Sequence, residues 1–258
     1  LFLAGDPAQS VVAGVEFRFE EVRSLIYKLS GQQEKLQRPT KLLVNYRSHS
    51  GILDCAAAVL DRMLAMYPGA AKTLPSDRGL FSGPRPAFFQ ADERLQDLKR
   101  MLASNEGLVV ICPDDEVSRV EELFSNLILG VRAAKGLEFG DVVLLDLFSS
   151  IPERDFQAWK ELFFCDEDNT KNCFTKMDPN RQYTHPQLEP QLKILYTAIT
   201  RCVNRLIFVE TRRSKVGSQF FRWLKHMDLA EGFSLNVQEE DGVPEWGCLM
   251  TADEWRLR

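Results

Sequence analysis

The stretch AFFQADERLQDLKRMLASNEGLVVICPDDEVSRVEELFSN, residues Ala87 to Asn126, decides the fold. Ala87 to Gln90 reads as a strand, and Asp92 to Ser104 carries its apolar side chains at helical spacing. Leu108 to Cys112 is an unbroken apolar run, and Glu116 to Asn126 returns to the helical period. A strand without a polar face has to be covered on both sides, as happens in parallel sheets with crossover helices packed on each face.

Working outward, the alternation continues both ways. Upstream lie a helix over Phe19 to Leu29, a strand over Lys41 to Val44 and a helix over Ile52 to Met66. Downstream lie the apolar runs Ile128 to Val131 and Val142 to Leu147, a long helix from Gln187 to Cys202 and a strand from Leu206 to Val209. The expected fold is therefore α/β, a doubly wound parallel sheet with right-handed crossovers. Leu1 to Leu3 reads as a further short strand, stopped by Gly5-Asp6-Pro7, and loops at such carboxyl ends carry function in open α/β sheets. Pro68 to Pro86 is Gly/Pro-rich and polar and reads as a surface loop, and 150–186, charged and rich in Asn, reads as a polar insertion.

Of the 258 residues 45% are hydrophobic and 27% charged, with a net charge of −5, which suits a folded core and excludes a wholesale basic nucleic-acid binder. Any contact with nucleic acid has to be local. No run approaches the roughly 18 apolar residues of a membrane span, so an intracellular protein without membrane contact is expected. The six cysteines include no C-x-x-C pair, and reduced thiols are the default. Cys165, Cys173 and His185 share the insertion, but their spacing fits no common zinc site, and no metal ligand set is expected in this chain. The sequence opens inside a strand without Met and closes at TADEWRLR, a capped helix just beginning, so both ends read as cuts in a longer protein.

Four segments carry chemistry. Gly5-Asp6-Pro7-Ala8-Gln9-Ser10 follows a strand, Asn45-Tyr46-Arg47-Ser48 follows another, Lys135-Gly136-Leu137-Glu138-Phe139 lies between two more, and Leu195-Tyr196-Thr197-Ala198-Ile199-Thr200-Arg201 ends a helix. Phosphoryl transfer needs cations on the oxygens that gain charge, and Arg47 and Arg201 are the candidates. Gln9 has the placement of a group that orients water or senses a terminal phosphate, and the Tyr46 ring could stack on a base. Gly136 permits close backbone approach, and Glu138 could accept a hydrogen bond from a ribose hydroxyl. Taken singly, each has a plainer reading: a turn, a half-buried ring, a surface charge, a carboxylate at a helix start.

In this order the four segments resemble motifs III, IV, V and VI of the UvrD/Rep-type superfamily 1 DNA helicases, whose patterns run GDxxQS, NYRS, AKGLEF and LYxAxTR. The resemblance implies two RecA-like lobes with ATP and Mg2+ between them, and 3'-to-5' movement on single-stranded DNA. It gives Gln9 and Arg47 to the γ-phosphate, Tyr46 to the base, Glu138 to the sugar side with Gly136 beside it in the nucleotide site, and Arg201 to the site as its second arginine. Residues 1–38 would be the tail of the first lobe, 39–230 the second lobe, and 231–258 a C-terminal extension. Ahead of the first segment there is neither a G-x-x-x-x-G-K-[ST] loop nor a DExx box, so the phosphate cradle and the magnesium ligands are expected in an upstream first lobe of the same protein. This chain alone is then expected to be inactive.

Three departures stand out. The accessory subdomain that the family often inserts between motifs IV and V is missing. Gly130 and Arg132 stand where the family usually has Thr and His, removing a hydroxyl and adding a cation on the expected DNA route. The aromatic-rich continuation after motif III is replaced by Val11-Val12-Ala13-Gly14-Val15-Glu16-Phe17-Arg18-Phe19; with NYRSHSGIL this looks most like the helicase region of the large eukaryotic TPR and ankyrin repeat-containing proteins. Two rival readings stay open: RNA as the track, and a degenerate helicase-like scaffold for protein interaction. The basic run Arg212-Arg213-Ser214-Lys215, with Arg222 and Lys225, reads as a solvated face or a phosphate-tracking one. Phe220, Phe221, Trp223 and Leu224 read as the core face of the last helix, and Gln238 to Asp241 as an exposed acidic turn.

Overall fold

The computed structural model describes residues 4–12, 19–32, 40–67, 77–91, 95–105, 107–163 and 185–232. Along the chain come α1 (Phe19–Leu29), β1 (Val44–Asn45), α2 (Ser50–Met66), β2 (Arg78–Gly79), β3 (Ala87–Gln90), α3 (Leu95–Ala103), β4 (Leu108–Cys112), α4 (Val117–Glu121) and β5 (Leu127–Gly130). Then follow α5 (Val131–Ala134), β6 (Phe139–Leu145), α6 (Phe156–Leu162), α7 (Leu188–Ile199), β7 (Cys202–Glu210), α8 (Lys215–His226) and β8 (Glu231–Gly232), with 3-10 turns at Pro7–Gln9 and Glu153–Asp155. Six strands form one sheet in the order β5-β4-β6-β7-β3-β8, every pairing parallel, and β1 and β2 form a small parallel pair of their own. The expected helix-flanked parallel sheet is what the chain forms.

Alternation along the strands divides the core between the two faces of the sheet. Val109, Ile111, Val142, Leu144, Leu206 and Phe208 pack with residues of α2, α5, α6, α7 and α8. Their neighbours Leu108, Val110, Cys112, Val143, Leu145, Ile207 and Val209 pack with residues of α3, with Val120 of α4 and with Phe124. On the larger side Phe148, Trp159, Phe163, Phe208, Phe220 and Trp223 interlock, with Trp159 edge-on to Phe148 at 5.8 Å and Phe163 against Trp223 at 4.7 Å between centroids. The core role expected for Phe220, Phe221, Trp223 and Leu224 holds.

Several expected elements change extent. The helix expected to reach Asn126 ends at Glu121, and the Asn126 side-chain amide donates instead to the carbonyls of Leu102, Asn105 and Leu108 at 3.1–3.2 Å, which ties that residue outside the helix. The strand expected over Lys41 to Val44 shrinks to Val44–Asn45, and the loop expected from Pro68 to Pro86 contributes the strand β2 that pairs with it. The start of the segment read as a polar insertion is core instead: Ala158, Trp159, Leu162 and Phe163 are fully buried, since the apolar face of α6 packs under Phe148 and α8. Leu1 to Leu3, Gly14 to Phe17, Cys165, Cys173 and Gln238 to Asp241 lie outside the described residues. No helix among the described residues is long and apolar enough to cross a membrane.

Candidate functional site

The first segment is shaped by Asp6, which caps the Pro7–Gln9 turn by accepting from the Ala8 amide at 2.9 Å; proline suits the first position, where no N–H is needed. Burial pushes the Asp6 carboxyl up, partly opposed by that amide and by Gln9. In the second segment the Asn45 side-chain oxygen accepts from the Arg47 and Ser48 amides at 2.9 and 3.1 Å, an Asx turn. Its amide donates to Asp77 at 3.2 Å. This turn leaves the Tyr46 ring 77% exposed and lays Arg47 against Glu138 in an ion pair. The Arg47 Nε is buried with no hydrogen-bond partner among the described residues.

In the third segment α5 is terminated by Gly136 at φ +86°, a left-handed turn that an L side chain would strain. The turn aims the Leu137 carbonyl at Arg201, and the Phe139 amide then donates to the Arg201 carbonyl at 3.0 Å as β6 begins. The fourth segment ends α7 at Ile199. The Arg201 side chain folds back along the helix, with Nε donating to the Thr197 carbonyl at 3.1 Å. One terminal nitrogen donates to the Leu137 carbonyl at 3.0 Å, and the other to the Gln9 side-chain oxygen at 3.0 Å and the Thr200 hydroxyl at 3.2 Å. Arg201 is 2% exposed, and burial, then the nearby Arg47 cation, lower its pKa, although a guanidinium keeps its charge in proteins.

The structure therefore brings Gln9, Arg47, Glu138 and Arg201 together, with Tyr46 and Gly136 at the margin, at the amino ends of β6 and β7 rather than at the carboxyl ends of the sheet. A guanidinium has five N–H donors. The four bonds of Arg201 leave one of its donors over, and the Arg47 Nε is a second. An anion with several oxygens suits such a place.

Two neighbouring features were not legible as parts of the site. The Ser48 hydroxyl, buried, donates to the Cys202 carbonyl at 2.7 Å, and the His49 Nε2 donates to the Asn204 carbonyl at 2.6 Å. Sequence offered only a Ser-His pair after the arginine. Asp114 is the other feature: it accepts from the Arg132 amide at 3.0 Å and lies 3.6 Å from its guanidinium, and a Cβ on Gly130 would sit 2.4 Å from the carboxylate. Gly130 thus makes room for Asp114, and the cation of Arg132 is matched by it; Arg132 Nε also reaches the Val11 carbonyl at 3.4 Å. In the basic run, Arg212 donates to Glu116 at 3.0 Å and Lys215 pairs with Glu153.

No protein-family profile matches the chain. Among solved structures, the C-terminal domain of a possible DNA helicase from Lactobacillus plantarum aligns over 73% of this chain and 98% of that one, at a TM-score of 0.38 and 16% identity, too distant to carry an argument. The chain is 33% identical over 296 aligned residues to the human TPR and ankyrin repeat-containing protein 1, covering 99% of this chain and 10% of that protein. It spans about a tenth of that relative's length, and the relative is of the TPR and ankyrin repeat-containing kind that the stretch after the first segment and NYRSHSGIL resemble.

Proposed function

We propose that this chain is the second motor lobe of a UvrD/Rep-type, ATP-dependent DNA helicase or translocase, and supplies one half of the ATP site and part of a single-stranded DNA track. The observation that carries the reading is the bond from Arg201 to Gln9 at 3.0 Å, which joins motif VI to motif III across 192 residues while Arg47 and Glu138 join IV to V beside it. The residues fit a nucleotide: the orphaned Arg47 Nε and the remaining Arg201 N–H are donors for phosphate oxygens, and the exposed Tyr46 ring is free to stack on a base. Arg47 and Arg201 then neutralise charge that develops on the transferred phosphoryl group, and Gln9 orients the attacking water. Magnesium would be held by residues upstream and would supply further positive charge to the phosphates. The remaining Arg201 N–H is on the terminal nitrogen bonded to Leu137, while the other terminal nitrogen holds Gln9, so a phosphate bound there would load the same guanidinium that joins motif III to motif VI, and nucleotide binding and loss would change the hold between the two motifs.

A second reading, a helicase-like scaffold for protein interaction, is favoured by one observation: the cation on the expected DNA route, Arg132, is tied to Asp114. Both readings are tested by assaying ATP hydrolysis with single-stranded DNA or RNA, using the chain alone and the chain joined to its upstream lobe. The proposal expects no turnover from the chain alone and magnesium-dependent, DNA-stimulated turnover from the joined protein. Turnover by the chain alone overturns the half-site, RNA-only stimulation changes the track, and a joined protein without turnover leaves the scaffold.

A further inference from the structure

The two strands flanking β7 differ in length. On one side the ladder with β6 runs down to the pair Phe139–Cys202, whereas on the other β3 begins only at the pair Ala87–Ile207. Among the described residues, 202–206 of β7 therefore have no strand beside them on that edge. A buried carbonyl left without a donor costs about 1–3 kcal/mol, so such an edge has to be satisfied by something else. Carbonyls two residues apart on a strand point to the same edge, and here the Cys202 carbonyl takes the Ser48 hydroxyl while the Asn204 carbonyl takes His49 Nε2. The Arg201 carbonyl points the other way and takes the Phe139 amide.

We infer that Ser48 and His49 are positioning residues that stand in for a strand along this edge and thereby fix the spacing between Arg47 and Arg201. The inference rests on the ATP-site reading above. Each arginine is the chain neighbour of one end of the Ser48–Cys202 bond, so the two guanidiniums are linked through a single buried hydrogen bond. Little slack exists on either side of it. The Asx turn of Asn45 holds the Arg47 and Ser48 amides. The His49 ring lies so close to Gly83 that a Cβ there would sit 2.1 Å from the ring Cγ, which keeps the ring from swinging away. Arg201 is held in turn by the Leu137 and Thr197 carbonyls. A shift of Ser48 is consequently transmitted to Arg47 rather than absorbed.

The test is made on the protein carrying both lobes. Ser48→Ala and His49→Ala should each lower kcat, by up to about 10²-fold for a misplacement near 1 Å, with much less change in the KM for ATP. Ser48→Thr and His49→Gln keep the donor and should recover most of the loss; the His49 pair serves should a Ser48 variant fail to fold. In an Arg47→Ala background, Ser48→Ala should cost nothing further in kcat, an outcome that general loosening would not give. Amide exchange should rise together in residues 44–50 and 199–206 of Ser48→Ala. If both alanine variants keep wild-type kcat while Arg47→Ala loses it, the inference falls and the ATP site stands; if Arg47→Ala keeps its turnover, the ATP site falls. Should the wild type itself show no turnover, exchange decides the linkage: a rise confined to 44–50 overturns it, and a joint rise supports it.

Discussion

The two ends of the sheet treat buried charge differently. At the carboxyl ends of β4, β6 and β7, fully buried Asp146 accepts from the Arg119 guanidinium at 2.9 Å, the Thr211 amide at 2.7 Å, the Thr211 hydroxyl at 2.6 Å and the Ser149 hydroxyl at 3.2 Å. Glu210 accepts from the Phe148 and Ser149 amides at 3.1 and 2.9 Å, and Glu116 takes Arg119 and Arg212. That end, where an open α/β sheet commonly binds its ligand, is closed by its own side chains. At the amino ends of β6 and β7 the accounting is incomplete: among the described residues Arg47 Nε is buried with nothing to donate to, and Arg201 holds one donor in reserve. A satisfied network rigidifies a fold, whereas a preorganised set of open donors is what an anionic ligand needs.

The comparison predicts that substitutions at the closed end move stability. Trp159 lies edge-on beneath Phe148, whose amide feeds Glu210, and Trp159→Ala should lower the unfolding free energy by about 3–5 kcal/mol in a denaturant melt. Asp146→Ala should cost about 3 kcal/mol by the same measurement, since it strips a buried charge partner and puts alanine at a left-handed φ of 54° that aspartate tolerates better. A loss below about 0.5 kcal/mol at Asp146 would break the claim that the closed end is structural.

Glu210 gives a smaller, pH-dependent effect. Burial pushes its carboxyl from 4.5 up to about 7, so the folded state favours the protonated form. The stabilisation is complete below about 4.5 and is lost as pH rises through about 7. The melting temperature of the wild type relative to Glu210→Gln should therefore fall between pH 5 and pH 8, and a difference that stays flat contradicts the assignment. Least of all, Tyr46→Ala at the open end should change stability by no more than about 0.5 kcal/mol, because the ring is exposed. A larger change would mean that Tyr46 has a structural role in place of a ligand-facing one.

The elements were legible wherever apolar periodicity meets a sharp stop: β3, β4 and α1 have the extents read from sequence. Errors arose where a long-range contact overrides a local pattern. Asn126 serves three carbonyls in place of a helical position, and Trp159, in a charged stretch, is claimed by aromatic rings from α8 and the turn after β6. At the site, the chemical types and order of Gln9, Arg47, Glu138 and Arg201 could be read from sequence, but the bonds joining them span 91 and 192 positions and could not. The anchoring by Ser48 and His49 was illegible for a further reason: it depends on β3 being shorter than β7, a property of two distant strands.

The central claim, that the open end faces the phosphates, is tested most directly by steady-state ATP hydrolysis in the two-lobe protein, set beside thermal melts, for Arg47→Ala, Arg201→Ala and Asp146→Ala. Both arginine variants should lose about 10³- to 10⁵-fold in turnover, the scale of a dissected arginine finger, and the corresponding lysine variants should recover little because a point charge lacks the planar fork. Arg47→Ala should melt near the wild type, whereas Asp146→Ala should melt well below it and keep its turnover at temperatures where it is folded. Near-wild-type turnover in both arginine variants would contradict the account.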